Sequence, residues 1–283
     1  MDKKHDYPSY SVLMSVYAKE TPGNLRQALD SMCNQTVAPN EIVMIEDGPL
    51  TEELYAVLDE YSDALGTKFV RIKNDVNLGL GVSLNKGVSA CSNELIARMD
   101  TDDISQPDRC EKQLAAFFNA PELDVIGTQI SEFTDTPDVS VGKRIVPCEH
   151  EEICRFLKGR SPFSHPSVMF KKSSVLSAGN YLDLHFNEDF YLWVRMYLNG
   201  AKFANLNEVL LNMRVSSDMY GRRGGIKYYK NQKQLFKFMY KNKIISFGQY
   251  TKMKIVRFTL QVLMTNKMRR WAYKKFARNK AEG

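Results

Sequence analysis

The chain has 283 residues, 43% of them apolar and 25% charged, an ordinary globular composition with room for one large domain or two small ones. No apolar run approaches the ~18 residues of a spanning helix, and "MDKKHDYPSY" holds no apolar leader core, so a cytoplasmic location is expected. The net charge of +6 hides an asymmetry: residues 222–283 carry 18 Lys and Arg against one acid, Glu282, whereas residues 1–221 carry 21 bases against 32 acids. An acidic body with a basic tail implies that the tail meets an anionic surface.

In chain order, "YSVLMSVY" reads as a buried strand. Thr21 and Pro22 then open a helix with Leu25, Ala28, Leu29 and Met32 on one face. "EIVMIE" is a second strand, ending at Asp47-Gly48-Pro49, and Thr51 caps a helix bearing Leu54, Leu58, Tyr61 and Leu65. "FVRIK" is a third strand, "LGLGVSLNKGVSAC" a glycine-bearing helix, and "ELIARMD" a fourth strand. Pro107 opens another helix, and "DVIGTQI" is a further strand. Strands alternating with helices predict a mostly parallel α/β sheet covered on both faces, with ligands beyond the carboxyl ends of the strands. Later in the chain, "TDTPDVSVGKR" reads as loop, "HPSVMF" as a short strand, and "NEDFYLWVRMYLNG" as a helix ended by Gly200. The five cysteines, Cys33, Cys91, Cys110, Cys148 and Cys154, are scattered and lack C-x-x-C spacing, as expected of reduced core thiols.

"ELIARMDTDD" places Asp100, Asp102 and Asp103 at a strand's carboxyl end. Three carboxylates in four residues form either a solvated turn that caps the next helix or a cation site. A calcium loop with Asp100, Asp102 and Glu111 fails, because its sixth position is Ser105 and Pro107 lies inside it. A divalent ion shared between one or two carboxylates and substrate phosphates remains, and Mg2+ and Mn2+ suit that arrangement. "NLGLGVSLNKG" is not a dinucleotide fingerprint, so Asn77, Gly79 and Asn85 read as turn and packing residues.

In order, "SVLMSVY", "IEDGP", "NDVNLGLGVSLNKG", "IARMDTDD", "HPSVMF" and "NEDFYLWVRM" resemble a family 2 glycosyltransferase with the GT-A nucleotide-sugar-binding fold. "MRVSSDMYGRRGGIKYY" resembles a segment of bacterial surface-polysaccharide transferases, the type that builds O-antigen and capsule. The resemblance runs over residues 8–230 and departs from the family at Pro49, where serine is usual. It implies a GT-A catalytic domain over 1–220, with a nucleotide-binding half (1–104) and an acceptor half (105–220), followed by a basic amphipathic helical tail (221–283). It implies Asp102 as the metal ligand with Asp100 as second ligand or ribose contact, the metal being Mn2+ or Mg2+. It makes Glu46 or Asp47 the acceptor of a uracil N–H, with Arg71 a nucleotide contact.

Asp189, beside Glu188 at a helix start, matches the family's catalytic carboxylate. The macrodipole there favours the ionised form a base needs, although Asn187, Glu188 or Asp189 also suits a helix cap. The resemblance makes His165 a candidate near the acceptor or the diphosphate, and Arg214, Arg222 and Arg223 either clamp phosphates, since arginine makes bidentate contacts, or belong to the basic face of the tail. In the tail, Met253, Val256, Leu260 and Leu263 share a face among Lys252, Arg257, Lys267, Arg269 and Arg270, with Trp271, Tyr273 and Phe276 beyond. This composition suits either an interfacial helix on anionic lipid or a helix packed on the body.

The expectation is an inverting, metal-dependent hexosyltransferase on the inner face of the plasma membrane. Its donor is a nucleotide sugar, a UDP-hexose such as UDP-galactose, and its acceptor a polyprenyl-diphosphate-linked saccharide. A metal-dependent enzyme on nucleic acid and a non-catalytic membrane scaffold are the rivals. The first lacks a nucleic-acid-reading motif, so no nucleic-acid partner is expected, and intact Asp100, Asp102 and Asp189 weigh against the second.

Overall fold

The computed structural model describes residues 7–215 and 224–265, together with 268, 269 and 271. Arg222, Arg223, Lys267, Arg270, Tyr273 and Phe276 lie outside the described residues. Four strands, β1 (Tyr10–Val16), β2 (Glu41–Glu46), β3 (Phe69–Lys73) and β4 (Leu95–Arg98), run parallel in the order β3-β2-β1-β4. Parallel strands need crossover connections, and α1 (Pro22–Cys33), α2 (Glu52–Leu65) and α3 (Leu80–Ala90) supply them. The caps are the expected ones: Thr21 accepts from the Asn24 amide and Thr51 from the Leu54 amide. The strand order reverses at β1, so the crevice beyond the ends of β1 and β4 is the switch point at which such sheets take ligands.

The sheet continues through strands of mixed direction: β5 (Ile104–Ser105), β6 (Val125–Phe133), β7 (Ser140–Arg144), β8 (Met169–Lys171) and β9 (Phe203–Arg214). β8 inserts antiparallel between β4 and β6, β9 runs parallel to β6, and β5 closes antiparallel on the end of β9. Three expectations change here. "SVGKR" is strand rather than loop, because it pairs with the end of β6. "HPS" is a single turn of 3-10 helix that precedes β8. The Pro107 helix begins two residues later, at Arg109.

Two apolar clusters cover the sheet. On one face α1, α2 and α4 (Arg109–Asn119) pack through Leu25, Leu29, Leu54, Leu58, Leu114 and Phe117 onto Val12, Met14 and Met44. On the other face lie α3, α5 (His150–Leu157), α6 (Lys172–Ser177) and α7 (Glu188–Leu198). Trp193 of α7 centres that side, edge-on to Phe163 at 5.2 Å and fully buried. The basic segment supplies α8 (Ile226–Lys241) and α9 (Phe247–Phe258), then a π-helical turn at Thr259–Leu263. Leu235, Phe236 and Met239 of α8 sit in the same cluster as Trp193, so the first helix of this segment is packed into the body. α9 buries no residue, and Phe247, Ile255, Val256 and Leu263 stand exposed. None of the five cysteines pairs with another.

Candidate active site

At the end of β2 the chain turns through Gly48, whose φ of +88° favours glycine and whose added Cβ would lie 2.6 Å from the Asn77 amide. Asp47 is buried at this turn. Its Oδ1 accepts from the Leu78 amide at 2.8 Å and from Asn74 Nδ2 at 3.1 Å, and its Oδ2 accepts from the Gly79 amide at 3.1 Å. Asn77 Nδ2 in turn donates to the Asp47 carbonyl. The carboxylate therefore clasps the loop that leads into α3. Glu46 does not join it. Alternation turns Glu46 to the face of Met44 and Ile42, where its Oε1 accepts from Arg71 Nε at 2.6 Å and Arg71 reaches Asp59 of α2. Glu46 and Arg71 are thus partners of each other on the α2 side.

Beyond β4, Asp100, Asp102 and Asp103 bring carboxylate oxygens within 4.8 Å of one another. Burial, then Asp100 and Glu20, push the Asp102 carboxyl up to about 7. Asp103 is fully buried; burial, then Asp102 and Asp100, raise it well above the usual carboxylate range. One Asp103 oxygen accepts from the Arg214 amide at 2.8 Å, and the other is buried without a partner. Asp103 therefore does not cap α4, whose N-cap is Asp108; the pairing of β5 with β9 turns it to the cluster instead. Arg214 Nε donates to the Asp102 carbonyl at 3.0 Å and Nη2 to Gln27 at 2.7 Å, while the guanidinium lies over the Phe133 ring. Arg214 frames the cluster from the end of β9.

Two residues the sequence reading passed over connect this cluster to α7. Arg98, the last residue of β4, is 1% exposed; it donates to Asp100, and its Nε and Nη1 are buried without partners. Tyr181 is buried beside it and shares a 2.8 Å hydrogen bond with His165 Nε2. Burial, then Arg98, hold the His165 imidazole well below its usual range, so it is neutral. Burial raises the Tyr181 phenol, with Arg98 opposing and Asp189, Glu188 and Asp100 adding to it, so both acidic groups act on one hydroxyl. Asn85 of α3 donates to the Tyr181 carbonyl at 2.7 Å, the packing role its place in the sequence implied.

Asn187 precedes α7 without capping it through its side chain, and Glu188 and Asp189 form the first turn. Burial, then Asp189, push Glu188 up to about 7. Asp189 Oδ2 accepts from the Ser161 hydroxyl at 3.4 Å. A Cβ on Gly81 would lie 3.3 Å from Glu188 Cβ, so the start of α3 abuts the first turn of α7. The Asp47-clasped loop, the Asp100–Asp103 cluster and the Glu188–Asp189 turn accordingly gather around Arg98, Tyr181 and the head of α3. Such a crevice has acids for a hard cation on one wall and a carboxylate for proton transfer on another.

Known proteins resemble this chain in sequence and in fold. Residues 11–177 match the sequence profile of glycosyl transferase family 2. The amylovoran biosynthesis glycosyltransferase AmsE of Erwinia amylovora is 38% identical over 94% of this chain and 98% of its own. The UDP-Gal:alpha-D-GlcNAc-diphosphoundecaprenol beta-1,3-galactosyltransferase of Escherichia coli is 35% identical over 96% of this chain and 98% of its own. Among solved structures, the mannosyltransferase PcManGT from Pyrobaculum calidifontis, in complex with GDP-Man and Mn2+, superposes with a TM-score of 0.63 at 13% identity, over 96% of this chain and 76% of its own. The fold is GT-A, and the chain belongs to glycosyl transferase family 2 and is a glycosyltransferase.

Proposed function

We propose that this glycosyltransferase inverts configuration, depends on a divalent metal, and moves a hexose from a UDP-sugar to a polyprenyl-diphosphate-linked saccharide during bacterial surface-polysaccharide synthesis. The observation that carries the reading is the carboxylate cluster beyond β4 facing the Glu188–Asp189 turn across Arg98 and Tyr181. The donor set suits Mn2+ or Mg2+: all ligands are carboxylate oxygens, one Asp103 oxygen is buried without a partner, and Asp102 is pushed up to about 7 by burial and then by the neighbouring acids, whose repulsion a cation would relieve. Asp102 and Asp100 would hold the ion, which when bound neutralises charge building on the departing diphosphate.

Asp189 takes the proton of the acceptor hydroxyl. The acceptor oxygen bonds to the anomeric carbon as the bond from that carbon to the diphosphate oxygen breaks, and UDP leaves with the electron pair. Burial and then the neighbouring Asp189 push Glu188 up to about 7, which favours its protonated form over a wider pH range and leaves Asp189 as the base of this turn. Asp47 supports the nucleotide pocket chiefly by holding the 74–79 loop. His165, neutral and bonded to Tyr181, braces the wall between the two acidic groups. The name of the Escherichia coli relative supports UDP-galactose as donor and a diphosphopolyprenol as acceptor.

Acceptors of that kind sit in a membrane. Among the described residues no helix is long and apolar enough to cross one. The exposed Phe247, Ile255, Val256, Leu263 and Trp271, set among Lys252 and Arg257, suit peripheral contact with anionic lipid on the inner face of the plasma membrane.

A thermal-shift panel of UDP-, GDP- and dTDP-sugars with and without Mn2+ tests the donor and the metal together. Stabilisation by UDP-sugars that requires Mn2+ is the expected result, and no response to any nucleotide removes the reading. Asp189→Asn is expected to lower kcat at least ~1,000-fold with UDP affinity unchanged; near wild-type turnover would take the base assignment away.

A further inference from the structure

The C-terminal segment does more than pack. A line of buried polar side chains runs from it to the first turn of α7. Asn187 Oδ1 accepts from Gln232 Nε2 of α8 at 3.3 Å, and Gln232 Oε1 accepts from Gln261 Nε2 of the π-helical turn. The Gln261 carbonyl receives the Gly225 amide at 2.8 Å and Arg269 Nη2 at 3.0 Å. Arg269 also closes the turn through the Leu260 and Met264 carbonyls, each at 2.9 Å, and its guanidinium fills the place where a Gly224 side chain would go. Asn187, Gln232, Gln261 and Arg269 are 2%, 6%, 1% and 4% exposed. Beside them, Asn231 Nδ2 holds the His185 carbonyl at 3.2 Å.

A helix that only anchors a protein to lipid turns its polar groups outward and has no use for amides buried against the catalytic helix. Apolar packing lets helices slide at modest cost, whereas a buried amide chain is directional and penalises each bond left unmade. Asn187 spends its side chain on this line instead of on capping α7. Asp189 lies two residues further on, and Gly81 of α3 closes off the other side of the same turn. The turn is therefore gripped between the donor-side helix and the C-terminal segment.

We propose that Gln232 and Gln261 are positioning residues for the reaction, setting the first turn of α7, and hence Asp189, from the segment that also carries the exposed apolar face. The proposal rests on the reading of Asp189 as the base. The C-terminal segment is then part of the catalytic unit, required even for an acceptor that needs no membrane.

The test uses the full chain carrying Gln232→Leu with Gln261→Leu, which removes the amides at both ends of the central bond. Gln232→Met, which keeps the length and loses the donor and acceptor, is the second variant. Substrates are UDP-galactose and the water-soluble decyl diphosphate of N-acetylglucosamine, without vesicles. Expected are a kcat lowered about 100-fold, as for a 1 Å misplacement of a reacting group, a donor KM and UDP affinity within twofold of wild type, and at least tenfold faster hydrogen exchange over residues 185–192 but not over 52–65. Unchanged exchange over 185–192, or a kcat within twofold of wild type in both variants, overturns the proposal. Asp189→Asn, run alongside, separates the two ideas: wild-type turnover there refutes the base, while the exchange result speaks to the positioning alone.

Discussion

Replacing Asp47 tests whether this carboxylate is a clasp of the loop as well as a neighbour of the nucleotide. Asp47→Ala removes three hydrogen bonds at once, to the Leu78 and Gly79 amides and to Asn74. A hydrogen bond to a charged group contributes roughly 1.5–3 kcal/mol, but these three share one carboxylate and water can enter the loop once it opens, so the expected loss is about 3 kcal/mol rather than the sum. For a chain of this size that lowers Tm by ~5 °C. Asp47→Asn is milder, about 1–2 kcal/mol, because the amide oxygen can still serve Leu78 and Asn74 while its NH2 opposes the Gly79 N–H. The assay is calorimetry of the nucleotide-free protein, with UDP titrated into each variant afterwards. Asp47→Ala with a Tm within 1 °C of wild type would refute the clasp, whatever happened to UDP binding.

Asp102→Asn should raise the Tm of the metal-free protein, since it removes one of three crowded acids, and should abolish the Mn2+-dependent shift; a lowered metal-free Tm would contradict the electrostatic account. Glu188 gives stability a pH dependence. With its folded value raised from 4.5 to about 7, the native state holds the extra proton between those limits, so stability is fully present below ~4.5 and falls as pH rises towards 7. The loss is on the order of 3 kcal/mol, and Glu188→Gln should flatten that slope in urea titrations between pH 5 and 8. Ile255→Glu combined with Leu263→Glu should weaken binding to phosphatidylglycerol vesicles about tenfold or more and leave the Tm unchanged, since both side chains are more than 60% exposed. Unaltered sedimentation with vesicles would detach the membrane from α9 and the π-helical turn after it.

The first half of the chain was legible because its signals are local. Continuous apolar runs bounded by Thr21 and Thr51 caps define β1 to β4 and their helices, and a strand's end is where a parallel sheet puts its chemistry. β9 was not legible. "FANLNEVLLNMR" alternates poorly because its partners change along its length and its pairing with β6 slips register twice. Missing β9 also concealed β5, and with it the reason that Asp103 faces the cluster rather than α4. Arg98 reads as the polar end of a strand, and only the closeness of Asp100, Tyr181 and His165, drawn from distant parts of the chain, makes it the buried cation at the centre of the site. The pairing of Glu46 with Arg71 was not legible either: the resemblance offers each as a nucleotide contact, and only the sheet shows that strand alternation brings the two together on the α2 side.

The union of β5 with β9 also dictates when the site can exist. The amide that holds Asp103 belongs to Arg214, 111 positions later in the chain. During synthesis, the first four strands can collapse on α1 to α3 from local contacts, but the acids beyond β4 stay unframed until β9 has left the ribosome and threaded between β6 and β5. A nascent chain cut short before residue 203 therefore carries every acid of the cluster and none of the strand that shapes it, so the framed cluster arrives late, as a product of finished topology rather than of the motif alone.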